Sequence, residues 1–328
     1  MVARVAARCV IGADLGGTKL LAGAVDADLG VHARAHREVA GLDAAALVAT
    51  ILDAIEEVRA GAPGEPAAAG FGIPCTIDRD RGLAVASRHL PLENVPFRDL
   101  MAERLGLPVA VDNDGNATAV GEHRHGAARG HEDAVVLTVG TGIGGGLILG
   151  NRIYRGAQGA AGELGHVTIA IDGPECPGDC EGRGCLEALA SGRALERDGA
   201  RIAAERPDSG LGQAAAEGRA VTGALITELA HDGDLAAIGA LRAVGANLGV
   251  GIAGFVNVFN PEVVVVGGGV MAAGDLLLAP AREVVAATAL APARDLVRVV
   301  PARFGAEAGM IGAAALAWEL LAVGEALG

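Results

Sequence analysis

Aromatic residues are almost missing from this chain, which has five phenylalanines, one tyrosine and one tryptophan in 328 residues. A core without rings has to be filled by Ala, Val, Leu and Gly, and an apolar content of 51% with 51 glycines supplies that material. Basic charge is short as well: 26 Lys and Arg stand against 40 Asp and Glu, for a net charge of −14. That balance argues against sequence-independent binding to nucleic acid or to an anionic membrane surface, both of which need a basic footprint. A phosphate ligand is then expected to be held by backbone amides and metal ions. No apolar segment of signal-peptide length precedes Cys9, so the expected location is the cytoplasm. The longest uncharged runs, 134–151 and 243–261, are broken by glycines and read as buried core rather than membrane spans.

What is present is a repeated pattern. Residues 10–26, VIGADLGGTKLLAGAVD, read as two strands around a turn holding Asp14, Gly16, Gly17, Thr18 and Lys19. Residues 132–156 repeat it, with Thr138, Gly140, Thr141 and Gly142 at the turn, and aligning Gly16 with Gly140 sets Asp14 opposite Thr138. Two copies are too few for a solenoid and indicate a duplicated α/β domain. Helical patterns at 43–60, 97–105, 116–128, 191–205, 233–255, 276–289 and 306–327, with β-rich segments at 67–73, 109–112, 263–266 and 297–301, predict a sheet of mixed direction covered by helices. Residues 140–145 match G-x-G-x-x-G, but a strand follows where a dinucleotide fold needs a helix, which disfavours that fold. Two glycine turns can instead cradle a polyphosphate, although either alone also reads as an ordinary hairpin turn.

Three further stretches carry candidate chemistry. At 111–122, VDNDGNATAVGE, a strand ends in Asp112, Asn113 and Asp114 before a helix. Open α/β sheets place ligands at strand C-termini, and Asp112 or Asp114 equally suits the helix N-cap. His166, Cys176, Cys180 and Cys185, spaced H-x9-C-x3-C-x4-C, offer the nitrogen and three sulfurs of a closed zinc site, which would order a polar loop with no core of its own. Glu163 and Glu187 flank that cluster and suit a polyhydroxylated ligand, while either alone also reads as a surface charge. Residues 263–278 run strand, Gly267, Gly268, Gly269, helix, and the glycines permit close approach of a flat ring.

Taken together, DLGGTK, VDNDGNA, GTGIGGG, GELGH with its cysteine cluster, GCLEALASG and VVVGGGV resemble the ROK family of sugar kinases and sugar-responsive repressors, in the family's order and over nearly the whole chain. The resemblance implies an actin-like, hexokinase-type duplicated two-domain ATPase fold of the α/β class, with a central cleft that closes over the sugar to exclude water. The expected domains are 1–117 with 307–328, and 118–306 carrying the zinc loop. By the same resemblance Asp14, Gly16, Gly17, Thr18 and Lys19 form one ATP-phosphate loop, with Asp14 positioning Mg²⁺, and Thr138, Gly140, Thr141 and Gly142 form the other. Gly267, Gly268 and Gly269 lie near adenosine, Asn113, Glu163, His166 and Glu187 bind the hexose, and Asp114 is the base. The implied reaction converts glucose to glucose 6-phosphate with ATP, in a homodimer or homotetramer. Alternatives are N-acetylmannosamine, fructose or mannose as acceptor, polyphosphate as donor, an actin-like ATPase, or a sugar-sensing regulator. Family regulators carry an N-terminal helix-turn-helix domain, for which a phosphate strand starting by Val10 leaves no room. Three segments depart from the family's pattern: Pro177-Gly178-Asp179 between two cysteines, Cys75 after Pro74, and residues 88–92.

Overall fold

The computed structural model describes residues 8–87, 90–178 and 180–327; Arg88, His89 and Asp179, which belong to the departing segments, lie outside the described residues. Near the N-terminus β1 (Cys9–Leu15), β2 (Lys19–Asp26) and β3 (Val31–Glu38) form an antiparallel meander, and β4 (Ala69–Ile73) joins β1 in parallel. Three short strands, β5 (Thr76–Asp78), β6 (Leu83–Ala86) and β7 (Glu93–Val95), make a separate small sheet. Parallel pairing of β8 (Val109–Asn113) with β4 completes a five-stranded sheet of order β3-β2-β1-β4-β8. A second five-stranded sheet uses β9 (Ala134–Val139), β10 (Ile143–Leu149), β11 (Arg152–Tyr154), β12 (Val263–Gly267) and β13 (Arg298–Pro301), in the order β11-β10-β9-β12-β13. Its outer pairs repeat the first sheet: β10 with β11 is antiparallel, and β9 with β12 and β12 with β13 are parallel. The duplication read from the two glycine turns is therefore a duplication of the whole strand order.

Two compact units result, one of residues 1–130, 146–162 and 306–328 and one of residues 131–145 and 163–305. In the first, Ile11, Leu15, Leu20, Ile51, Ile55 and Met101 pack around Phe71 and Phe97, whose rings meet edge to face at 5.3 Å. Elsewhere small residues replace rings as the means of filling space. A side chain at Gly70 would overlap the Ala313 carbonyl and one at Gly312 the Ala117 carbonyl, so the helix Ala308–Leu327 lies directly on the sheet and on the helix Asp114–His125. That contact fixes where the end of β8 points.

Several elements differ from the sequence reading. The expected helix at 116–128 begins at Asp114 and ends at His125. β3, β5 to β7 and the helices Leu186–Ala190, Gly210–Ala216, Gly223–His231 and Ala293–Leu296 were not among the predicted elements. The helices Leu235–Phe259 and Gly305–Gly324 are long and apolar enough to cross a membrane by length and composition, and 56% of each apolar window is buried inside the protein.

Candidate active site

In the first unit three strand ends line up. Asp14 on β1 pairs in register with Gly72 on β4, and Gly72 with Asp112 on β8. Asp112 is buried; its Oδ1 accepts from Asn113 N at 2.9 Å and Asn116 Nδ2 at 3.0 Å, and its Oδ2 accepts from Arg155 Nε at 2.7 Å. This internal ion pair removes Asp112 from solvent and makes it a strut. The helix cap is Asn113, whose Oδ1 accepts from Gly115 N at 2.9 Å and Asn116 N at 3.2 Å, rather than either flanking aspartate. Capping uses the oxygen of Asn113 and leaves its amide nitrogen as a donor. Asp114 opens the helix with its Oδ1 2.9 Å from Gly115 N, a position where the helix dipole favours a carboxylate.

Asp14 keeps a limited solvent face at the end of β1. Its carboxylate rests on the first turn of the helix Ala308–Leu327, where a side chain at Gly309 would collide with it. Burial pushes Asp14 up to about 7, and the charge of Asp114 adds to the shift. A buried carboxylate under the charge of a second one forms a hard-oxygen corner that a divalent cation would relieve, so the donor chemistry fits Mg²⁺. Beyond Asp14 the turn closes with Gly16 N donating to Lys19 O at 2.7 Å, and Val39 N donates to Thr18 O at 2.8 Å. Thr18 and Lys19 are exposed, and Lys19 is the only lysine of the chain. Cys75 is buried, and burial pushes its thiol up to about 11, so it contributes neutral volume beside the acidic strand ends.

The second unit carries the other candidates. Gly140 N donates to Gly142 O at 2.9 Å, Gly140 O accepts from Gly192 N at 2.7 Å, and Thr141 is exposed at the tip of the turn. Thr138 Oγ1 occupies space that a side chain at residue 144 would need. Gly268, with φ +92°, follows β12, and a side chain there would overlap the Val139 carbonyl, so glycine is required on both counts. Gly267 pairs with Thr138 across the sheet, and Gly269 opens a short 3-10 turn.

His166, Cys176, Cys180 and Cys185 put one ligand atom each within 4.8 Å of one another. Zinc–sulfur bonds of about 2.3 Å in a tetrahedron place ligand atoms roughly 3.5–3.8 Å apart, and Cys176 Sγ lies 3.7 Å from His166 Nδ1. The four residues fit zinc. Burial and the neighbouring thiols push Cys176 up to about 12, so its thiol stays neutral unless a cation joins it. Glu187 is buried beside the cluster: its Oε2 accepts from Ile143 N at 2.7 Å and its Oε1 is 3.8 Å from Cys176 Sγ. Glu163, by contrast, is exposed, at the start of the short turn Leu164–His166. Sequence reasoning treated the two glutamates alike and missed Arg155, Gly72 and Gly309. Gly309 and Gly72 act by having no side chain, and Arg155 meets Asp112 across 43 residues, beyond the reach of any local spacing signal.

This chain belongs to the ROK family, whose model matches residues 10–319. It is 36% identical over 315 residues to the glucokinase of Streptomyces coelicolor, covering 94% of this chain and 97% of that protein. It is 35% identical to the glucokinase of Thermotoga maritima, covering 94% and 96% respectively. Among solved structures, a ROK family glucokinase from Streptomyces griseus in complex with glucose and AMPPNP superposes with a TM-score of 0.86 at 35% identity, covering 95% of this chain and 99% of that one. The actin-like sugar-kinase fold is thereby shown for this chain.

Proposed function

We propose that this chain transfers the γ-phosphoryl group of ATP to the 6-hydroxyl of glucose, with Asp114 as general base. The observation that carries the reading is the end of β8, where a buried Asp112–Arg155 pair and the Asn113 cap hold Asp114 at the first position of a helix. A neutral alcohol is a poor nucleophile, so Asp114 takes the hydroxyl proton as the oxygen–phosphorus bond forms and the bridge to ADP breaks. Asn113, through its free amide, and Glu163, His166 and Glu187 address the sugar hydroxyls. Gly16, Gly17, Thr18 and Lys19, together with Thr138, Gly140, Thr141 and Gly142, hold the phosphates, and Gly267, Gly268 and Gly269 border the adenosine. Asp14 would hold magnesium, which would supply charge neutralisation for the polyphosphate. His166 and the three cysteines would hold zinc, which would order the loop that carries the sugar-binding imidazole. Full-length similarity to two glucokinases and to a glucose- and AMPPNP-bound neighbour supports glucose over other hexoses and ATP over polyphosphate.

The test is catalytic efficiency with ATP on glucose, mannose, fructose and N-acetylmannosamine. Loss of a hydroxyl that the site contacts strands a buried partner, and a hydrogen bond to a charged group is worth about 1.5–3 kcal/mol, so glucose should lead by at least about tenfold. A clear lead for another sugar sinks the glucose assignment, and no turnover on any of them sinks the kinase reading.

A further inference from the structure

The first unit holds a second concentration of charge that the proposed reaction does not use. A cavity of about 250 Å³ lies among Arg79, His123, Arg124, Arg152, Arg155 and Glu319. Four guanidinium groups thus gather in a protein with a net charge of −14. Two are neutralised internally: Arg124 Nε donates to Glu319 Oε1 at 2.8 Å, and Arg155 pairs with Asp112. Arg79 and Arg152 are exposed and, among the described residues, form no ion pair.

Regular elements set this arrangement. Arg124 sits in the last turn of the helix Asp114–His125, and Arg79 directly follows β5. Arg152 starts β11, behind a two-residue turn in which Gly150 (φ 57°) and Asn151 (φ 63°) both take the left-handed conformation that hairpins favour. Like charges held together on rigid elements repel, and an anion turns that repulsion into attraction. Arginine presents a planar fork matched to the oxygens of phosphate, which lysine does not. The cavity is smaller than the pockets of drug-sized ligands, typically about 300–1,000 Å³, and so suits a phosphate with at most a small organic group.

We propose that this pocket binds a small phosphate-bearing anion, the chemistry shared by hexose phosphates and free inorganic phosphate, through Arg79 and Arg152. Arg155 links it to the reaction: the same side chain lines the pocket and clamps Asp112, one residue before Asn113 and two before Asp114. An anion beside Arg155 draws on the charge that holds the end of β8, which gives the pocket a physical route to the sugar-binding residues.

Binding is measured by calorimetry on the full-length chain with glucose and AMPPNP at saturation, so that the reaction site is already filled. One arm titrates inorganic phosphate and the other glucose 6-phosphate. One further equivalent should bind in at least one arm; tighter binding in the second identifies a sugar phosphate, and equal or tighter binding in the first identifies free phosphate. Arg79→Ala and Arg152→Ala should each weaken it by about tenfold, the worth of one charge-assisted hydrogen bond, and leave kcat without added phosphate within about twofold of the parent. Arg152→Lys keeps the charge and loses the fork, so its affinity should fall between. Absence of a further equivalent in both arms, or undiminished binding in the Arg79→Ala, Arg152→Ala double variant, overturns the proposal.

Discussion

The two sheets share a strand order and part company at their strand ends. In the first sheet the in-register row is Asp14, Gly72, Asp112, and β8 runs on into Asn113 and Asp114. In the second, Thr138 pairs with Gly267, Val266 pairs with Pro301, and the next residue after Pro301 is Ala302. A glycine holds the middle of both rows, and a carboxylate in one becomes a hydroxyl or a methyl in the other. The two copies share a scaffold, and the acids stand in only one of them. The second half gained a different asset, the cysteine and histidine loop with buried Glu187. The proposed function puts proton chemistry in one unit and sugar recognition largely in the other, so damage to each should have a different signature.

Removing the metal should have the largest effect. Purified protein should hold about one equivalent of zinc, and Cys180→Ala should cost much of the loop's ordering energy, which in isolated zinc peptides is on the order of 10 kcal/mol. Glucose affinity should collapse while the first unit keeps its fold, as read by metal analysis, glucose titration and hydrogen exchange resolved by segment. Active protein without zinc would erase the contrast between the halves.

Asp114→Asn comes next. It preserves shape and the helix start and removes the proton acceptor, so kcat should fall by roughly 10²–10⁴ with nucleotide binding intact. If Asp112→Asn cost as much in kcat without unfolding the protein, the base would be misassigned by one turn. The structure predicts a different result for Asp112: breaking its buried pair with Arg155 should lower stability by about 3–5 kcal/mol.

Asp14 tests the acidic row through pH. Its ordinary value is 3.8 and its folded value about 7, so the folded protein holds this proton more tightly than the unfolded chain. Stability is fullest below the lower value and drains away as pH rises to the upper one, leaving a deficit of at most about 4 kcal/mol above it. In metal-free, ligand-free protein Asp14→Asn should therefore raise the melting temperature at about pH 8 and leave it nearly unchanged at about pH 4, while abolishing turnover. Equal melting shifts at both values would show that Asp14 is not desolvated by its setting.

Much of this was readable in the chain because the signals are local. The glycine turns, the H-x9-C-x3-C-x4-C spacing and the long apolar helices each announce themselves within a short window. What escaped reading depends on neighbours far away in sequence. β3, VHARAHRE, carries four basic or histidine side chains and an acid, and is a strand because β2 offers it an edge, with only Ala35 buried. β5 and β7, three residues each, are too short for periodicity to register. At Asp112-Asn113-Asp114 three cap-forming residues stand in a row, and propensity cannot choose among them. Arg155 makes the choice by pulling Asp112 inward, which leaves Asn113 at the helix start.

Asn113 yields the smallest expected effect and separates its two duties. Asn113→Ala removes the cap and should cost about 1 kcal/mol of stability, within a range of 0.5–2. Asn113→Asp keeps an oxygen for Gly115 N and Asn116 N, which donate to the cap, and exchanges the amide donor for an acceptor. Its melting temperature should stay near that of the parent while the KM for glucose rises about tenfold, the worth of one hydrogen bond to a sugar hydroxyl. A rise in KM for Asn113→Ala with none for Asn113→Asp would show that Asn113 serves the helix alone and that recognition of the sugar lies wholly with Glu163, His166 and Glu187.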